Sequence, residues 1–301
     1  MPDSSPLARL LVLSDPQIGL YQSMLSQAEQ VNERLEAAGR EQVALPRIQA
    51  HEREELLFSE AIAAANELRP DAVVVCGDMI QHWDSDEELS LLRTVVGRLD
   101  PSIPIHWVPG NHDVAPDTFR PTLEGLARYA EAFGPDRYAA EIGRVRLIVI
   151  NSSSIHSPDL VPAEREANLG FMEAELAEAD RRDQIPIVCS HHPWFLDAGH
   201  SAAALVLPEE QRDRLLEIAR IGRLRTLFSG HIHGNNVDSA GELQQITTTA
   251  TGLPFRDDPS GYRIVEVYDD RVEHEARALP SGPGLQAEAE LLLRTRSLEV
   301  D

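Results

Sequence analysis

The chain has 301 residues, 42% hydrophobic and 26% charged, ample for one large domain with a sizeable core. Its 50 Asp and Glu outnumber 27 Lys and Arg, a formal charge of −23 that repels phosphate backbones and anionic lipid surfaces. Duplex nucleic acid and membranes are therefore not expected as partners.

Residues 1–7 read as a polar lead containing proline, without a basic segment followed by an apolar one. An apolar run predicts a strand over 9–14, leading into Ser14-Asp15-Pro16-Gln17. The pattern over 22–68 is helical, with a break expected near Gly39 or Pro46. Most of it, about 22–55, reads as a helical insertion before the next strand, 72–76, which ends at Gly77-Asp78. Residues 86–99 read as a helix, with Asp86 near its start and Pro101 past its end. A strand over 103–108 leads to Gly110-Asn111-His112-Asp113. Residues 121–133 are helical, with proline at the start and Gly134 beyond the end. Residues 137–142 and 145–151 read as paired strands around Gly143-Arg144. A helix over 162–180 precedes a strand over 187–189, which opens into Ser190-His191-His192-Pro193. An amphipathic helix over 208–221 ends at Gly222, and the run 224–228 leads to Gly230-His231-Ile232-His233. Strands follow over 243–249, 262–268 and 272–278, the last two joined at Asp269-Asp270. Residues 280–301 read as a loosely attached tail beyond a domain spanning 1–279. Alternating β and α, then antiparallel β, predicts a layered α/β fold with mixed sheets.

Five polar segments thus follow buried strands, where open α/β sheets carry functional groups. Carboxylates, amides and imidazoles delivered from five strands can converge on a two-metal centre. Each piece alone has an ordinary reading. Asp15 before Pro16 could cap a turn, and Gly77-Asp78 could form one. His231 and His233, at period two, point the same way only if their strand continues. The ordered set favours metal binding. Cys76 and Cys189 end two of the apolar runs and read as buried, reduced thiols, with no disulfide framework. No apolar stretch reaches the roughly 18 residues of a membrane span, and a cytoplasmic location is expected.

The motifs resemble the calcineurin-like metallophosphoesterase superfamily, whose pattern runs D-x-H, G-D, G-N-H-[DE], an isolated H, and G-H-x-H. They are similar, more closely, to the calcineurin-like phosphoesterase domain-containing protein 1 group of Ser/Thr protein phosphatases. That group has A-D-P-Q-F-G-L, compared with Ser14-Asp15-Pro16-Gln17-Ile18-Gly19-Leu20 here. It has C-G-D-L-I-H, compared with Cys76-Gly77-Asp78-Met79-Ile80-Gln81, and a late loop similar to Arg256-Asp257-Asp258-Pro259-Ser260-Gly261.

The resemblance implies a four-layer α/β/β/α sandwich of two mixed β-sheets. It implies two divalent ions, of Mn, Fe, Zn or Mg, and a phosphorylated substrate. The implied reaction is in-line attack of a bridging hydroxide on a phosphate monoester, phosphoserine and phosphothreonine proteins included. A cyclic-nucleotide phosphodiesterase and a silent scaffold are the alternatives. By the same resemblance, Asp78 bridges the ions. Asp15, Gln17 and His233 complete the first site, and Asn111, His191 and His231 the second. His112 serves the leaving oxygen, and Asp113 orients His112 or a ligand. Gln17 replaces the superfamily's histidine with a neutral amide oxygen, which tilts the first site towards Mn²⁺ or Mg²⁺. Of the adjacent pair, H-x-P makes His191 the ligand and leaves His192 to line the pocket or support it. His82, His106, His156 and His200 read as surface or pocket-edge groups. Trp194, Phe195, Arg256 and Asn151 remain open between cleft and ordinary packing.

Overall fold

The computed structural model describes residues 5–46, 51–196 and 205–296. Residues 47–50 of the expected insertion, His200, and residues 297–301 of the expected tail lie outside the described residues.

Strands β1 (Ala8–Leu13), β2 (Ala72–Cys76) and β3 (Ile105–Val108) lie side by side and parallel. Strands β4 (Tyr138–Ile142), β5 (Val145–Val149), β6 (Ile185–Cys189), β7 (Thr226–Ser229), β8 (Asn236–Ala240) and β9 (Leu243–Thr247) form a second sheet, in the order β4-β5-β6-β7-β9-β8. The hairpin of β10 (Gly261–Val267) and β11 (Val272–Ala278) joins the first sheet antiparallel to β1, and β4 and β8 run antiparallel at the edges of the otherwise parallel second sheet, so both sheets are mixed.

The period of two along each strand divides its side chains between two cores. Leu10 and Val12 of β1, and Val74 and Cys76 of β2, meet Leu147, Val149, Ile187, Cys189 and Phe228 of the other sheet. The alternate residues, Leu11, Leu13, Val73 and Val75, face α2 (Glu52–Leu68), α3 (Asp86–Val96) and α5 (Leu123–Phe133). On the far side, Ile148, Val188 and Leu227 meet α7 (Pro162–Arg181) and α8 (Glu209–Ile221). Three apolar seams therefore bind four layers, helix, sheet, sheet, helix. Both cysteines lie free in the seam between the sheets.

The helical segment after β1 is α1 (Leu20–Ala37), separated from α2 as the Gly39/Pro46 break requires. Two single-turn helices, α4 (Asn111–Val114) and α6 (Ser152–His156), and strand β8 were not expected from the sequence. The residues beyond 279 were expected to form a loosely attached tail. Its described part is α9 (Gly282–Arg296), which lays Leu292 on the α1 face carrying Leu20, Tyr21, Met24 and Leu25. Arg53 of α2 donates to the Leu285 carbonyl at 2.9 Å, and Gln286 donates to the Arg256 carbonyl at 3.1 Å. Among the described residues no helix is long and apolar enough to cross a membrane.

Candidate metal centre

The carboxyl ends of β1, β2, β3, β6 and β7 deliver the five segments to one end of the seam between the sheets. The first two loops continue the pairing of their strands. Asp15 N donates to Gly77 O at 3.1 Å, and Gln17 N to Asp78 O at 2.9 Å. The last two are tied by Gly230 N to His191 O at 3.0 Å.

Two groups of ligand atoms gather there, each within 4.8 Å. One is Asp78, His191 and His231; the other is Asp15, Asp78 and His233. Asp78 belongs to both. His191 Nε2 lies 3.2 Å from Asp78 Oδ2, 3.0 Å from Asn111 Oδ1 and 3.2 Å from His231 Nδ1. His233 Nε2 lies 3.3 Å from Asp15 Oδ1. The opposite ring nitrogens are committed to carbonyls: His191 Nδ1–H donates to Cys76 O at 2.8 Å, and His233 Nδ1–H to Leu253 O. That leaves the inward nitrogens free to offer lone pairs. Asn111 Nδ2 donates to Thr118 O at 2.9 Å, which turns its oxygen inward.

The backbone bends sharply to achieve this. Asp15, Gln17, Asp78, His231 and His233 have φ of 48°, 40°, 52°, 69° and 50°, in the left-handed region that side chains seldom adopt. The expectation that His231 and His233 need a continuing strand is thereby corrected. β7 stops at Ser229, and the left-handed turns at both histidines bring them to the same site.

Of the two partners expected for Asp113, His112 or a ligand, its contacts are with the loop of the proposed ligand Asp78. Its carboxylate accepts from Asp78 N at 2.9 Å, Met79 N at 2.9 Å and Gly110 N at 2.8 Å. It therefore locks the Asp78 loop to the Asn111 loop. The His112 ring is held instead by the Gln81 carbonyl, 2.9 Å from Nδ1, while His112 N donates to Asp78 Oδ1 at 2.9 Å.

The electrostatics suit cations. Burial opposes ionisation of Asp78, yet the surrounding His191 and His112 hold its carboxyl far below the usual range. Burial disfavours charge on His191 too, but Asp78 beside it raises the imidazole to about 9. His231, buried and facing His191, falls to about 3. Asp15 Oδ1 and Gln17 Oε1 are buried oxygens without a hydrogen-bond donor. Buried acceptors of this kind are costly unless something positive meets them. Oxygen and imidazole ligands around a shared carboxylate fit two hard or borderline divalent ions.

Around the ligands, Ser152 Oγ accepts from His191 N at 3.2 Å and His192 N at 2.9 Å, and Asn151 caps the short helix that carries it. His192 stacks on His156, ring centroids 4.8 Å apart, and Phe255 lies flat on His233 at 4.1 Å. Trp194 is fully buried in the outer seam, so it packs and does not line a cleft. His82 pairs with Glu88 at 2.6 Å, and His106 packs near Tyr138. Sequence reasoning missed Ser152, Phe255 and Gln81. Their contacts join loops far apart in the chain: no local pattern marks Ser152 or Phe255, and Gln81 closes the Cys76–Gln81 segment without any sign of its contact.

The calcineurin-like phosphoesterase family profile matches residues 8–235. The chain is 29% identical over 238 residues to the serine/threonine-protein phosphatase CPPED1 of Homo sapiens, across 76% of this chain and 74% of that protein. It is 26% identical over 199 residues to a probable cyclic nucleotide phosphodiesterase of Pseudoalteromonas sp. (strain SM9913), across 66% of this chain and 69% of that one. A dimetal phosphatase from Danio rerio shares the fold, with a TM-score of 0.59 at 15% identity over 91% of this chain and 97% of that one.

Proposed function

From a chain that belongs to the calcineurin-like phosphoesterase family, we propose a metal-dependent phosphatase that cleaves phosphate monoesters on phosphoserine and phosphothreonine proteins. The observation that carries this reading is Asp78, whose carboxylate is shared by both groups of ligand atoms. Asp15, Gln17 and His233 would hold one ion with it, and Asn111, His191 and His231 the other. Two divalent ions so held would lower the pKa of an attacking water and neutralise charge on the phosphate oxygens. The amide at Gln17 favours Mn²⁺ or Mg²⁺ in the first position.

The protein's own groups do the rest. Asp78, Asp15 and the imidazoles would fix where the ions are held. His112 gives its Nδ1–H to the Gln81 carbonyl, so Nε2 is the atom that, with the ring as an imidazolium, hands a proton to the departing oxygen and leaves a neutral ring. Asp113 positions Asp78 through the backbone. A cytoplasmic setting is part of the reading, supported by the two free thiols.

The similarity to a probable cyclic nucleotide phosphodiesterase favours a second reading, diester hydrolysis at the same centre. Relative kcat/KM on phosphoserine and phosphothreonine peptides, bis-p-nitrophenyl phosphate and cyclic nucleotides separates the two. Preference for the peptides is expected. Preference for diesters would replace the first reading by the second.

A further inference from the structure

A glutamine ligand brings a difficulty that a carboxylate does not. Its oxygen and its NH₂ have nearly the same shape, and a half-turn of the amide exchanges an acceptor for two donors. A cation accepts only the oxygen. In a chamber containing the carboxylates of Asp15 and Asp78, the NH₂ would be drawn inward unless something outside claims it.

Gln81 is placed to claim it. Gln17 Nε2 donates to Gln81 Oε1 at 2.9 Å, and this leaves Gln17 Oε1 buried without a protein donor. Gln81 is itself held firmly. Its backbone N–H is shared by Ile18 O at 2.9 Å and Glu88 Oε2 at 3.0 Å, and its carbonyl accepts from His112. Glu88 is almost fully buried and also accepts from His82 N at 2.8 Å, so the turn that carries Gln81 is anchored to α3.

We propose that Gln81 is the positioning residue that keeps the Gln17 amide oxygen turned towards the first metal ion. The inference rests on Gln17 being a ligand. In the C-G-D-L-I-H pattern that this segment resembles, histidine occupies the Gln81 position, so the pairing of two amides is a feature of this chain.

Calorimetric titration of the metal-stripped protein with Mn²⁺ tests it without recourse to activity. Gln17→Met identifies which binding event belongs to the first ion. Gln81→Met, which keeps the backbone contacts and removes the acceptor, weakens that event about tenfold and spares the other. In the Gln17→Met background it adds nothing, because the effect passes through Gln17. Gln81→Glu, which can only accept, retains the event. The proposal is overturned if Gln81→Met leaves both events unchanged, if its effect persists in the Gln17→Met background, or if Gln81→Glu loses the first ion. If Gln17→Met itself changes neither event, the ligand assignment fails as well, and the two failures are told apart.

Discussion

Gly110 has room for a hydrogen and nothing larger, because a methyl group there would run into the carboxylate and backbone nitrogen of Asp78. Gly77 faces the His191 ring in the same way, and Gly230 faces Ser14 and Asp15. The glycine of each motif makes space for a ligand arriving from another strand. Gly110→Ala is expected to displace Asp78 and to weaken Mn²⁺ binding by about tenfold or more, read by calorimetry; parental affinity would contradict the crowding argument. His112 calls for a different readout. If it protonates the leaving oxygen, His112→Ala cuts kcat on a phosphoserine peptide by about 10²–10⁴-fold. The loss on p-nitrophenyl phosphate is smaller, because that leaving group departs without a proton. Equal losses on both substrates would remove His112 from the proton-donor role. The residues in these arguments are partly legible in the sequence. Asp15, Asp78, Asn111, His191, His231 and His233 stand in motifs that follow apolar runs. Ser152 does not, and Gln81 closes one such motif without showing its contact, since what both do is join loops distant in the chain. The left-handed turns at these residues also leave no mark beyond the motif letters, because even Asp and His, which adopt that conformation more often than most, do so in only a minority of places.

Elements with a one-sided or continuous apolar pattern are legible in the sequence almost to the residue. Strand β2 and helix α8 fall within a residue of expectation. The edge strand β8, Asn-Val-Asp-Ser-Ala, carries one aliphatic residue of any size and so gives no strand signal. Helix α9 is legible as a helix but not as a docked one, because its partner face on α1 lies more than 250 residues earlier in the chain. Where α1, α2 and α9 meet, Glu54 is fully buried in the first turn of α2. Its Oε1 accepts from Tyr21 N at 2.6 Å, while Oε2 has no donor. Burial raises its pKa to about 7 against an ordinary 4.5, with Arg53 opposing and Glu88 reinforcing the rise. The folded chain therefore keeps a proton that the unfolded chain releases between about pH 4.5 and 7, and stability falls as the pH rises through that window. Glu54→Gln removes this loss. Its advantage in unfolding temperature over the parent is expected to grow from about pH 5 to pH 8. A gap that stays constant or shrinks would show that Glu54 is not protonated in the native state.

Across the whole molecule, the sandwich works by bringing two sheets together so that five strand ends share one edge of the seam between them. The run Ala72–Cys76 announces a buried strand, but not that Val74 and Cys76 face the other sheet while Val73 and Val75 face helices. That division is set by the packing of layers. The apolar pattern alone therefore fixes a layered α/β fold, and the four-layer order enters only through the family resemblance. The net charge of −23 also acquires a local exception. A phosphorylated substrate meets an acidic protein, and two bound dications would supply the positive charge that draws it to one place. The central claim is that phosphate-ester hydrolysis depends on an ion pair bridged by Asp78. The most direct measurement is turnover of p-nitrophenyl phosphate by metal-stripped protein as Mn²⁺ is added, with bound metal counted in parallel, for the parent and for Asp78→Asn. Activity absent without metal, rising until two ions are bound per chain, and abolished in Asp78→Asn is the predicted result. Full activity in the stripped protein, or an Asp78→Asn variant that loads and turns over like its parent, would contradict it.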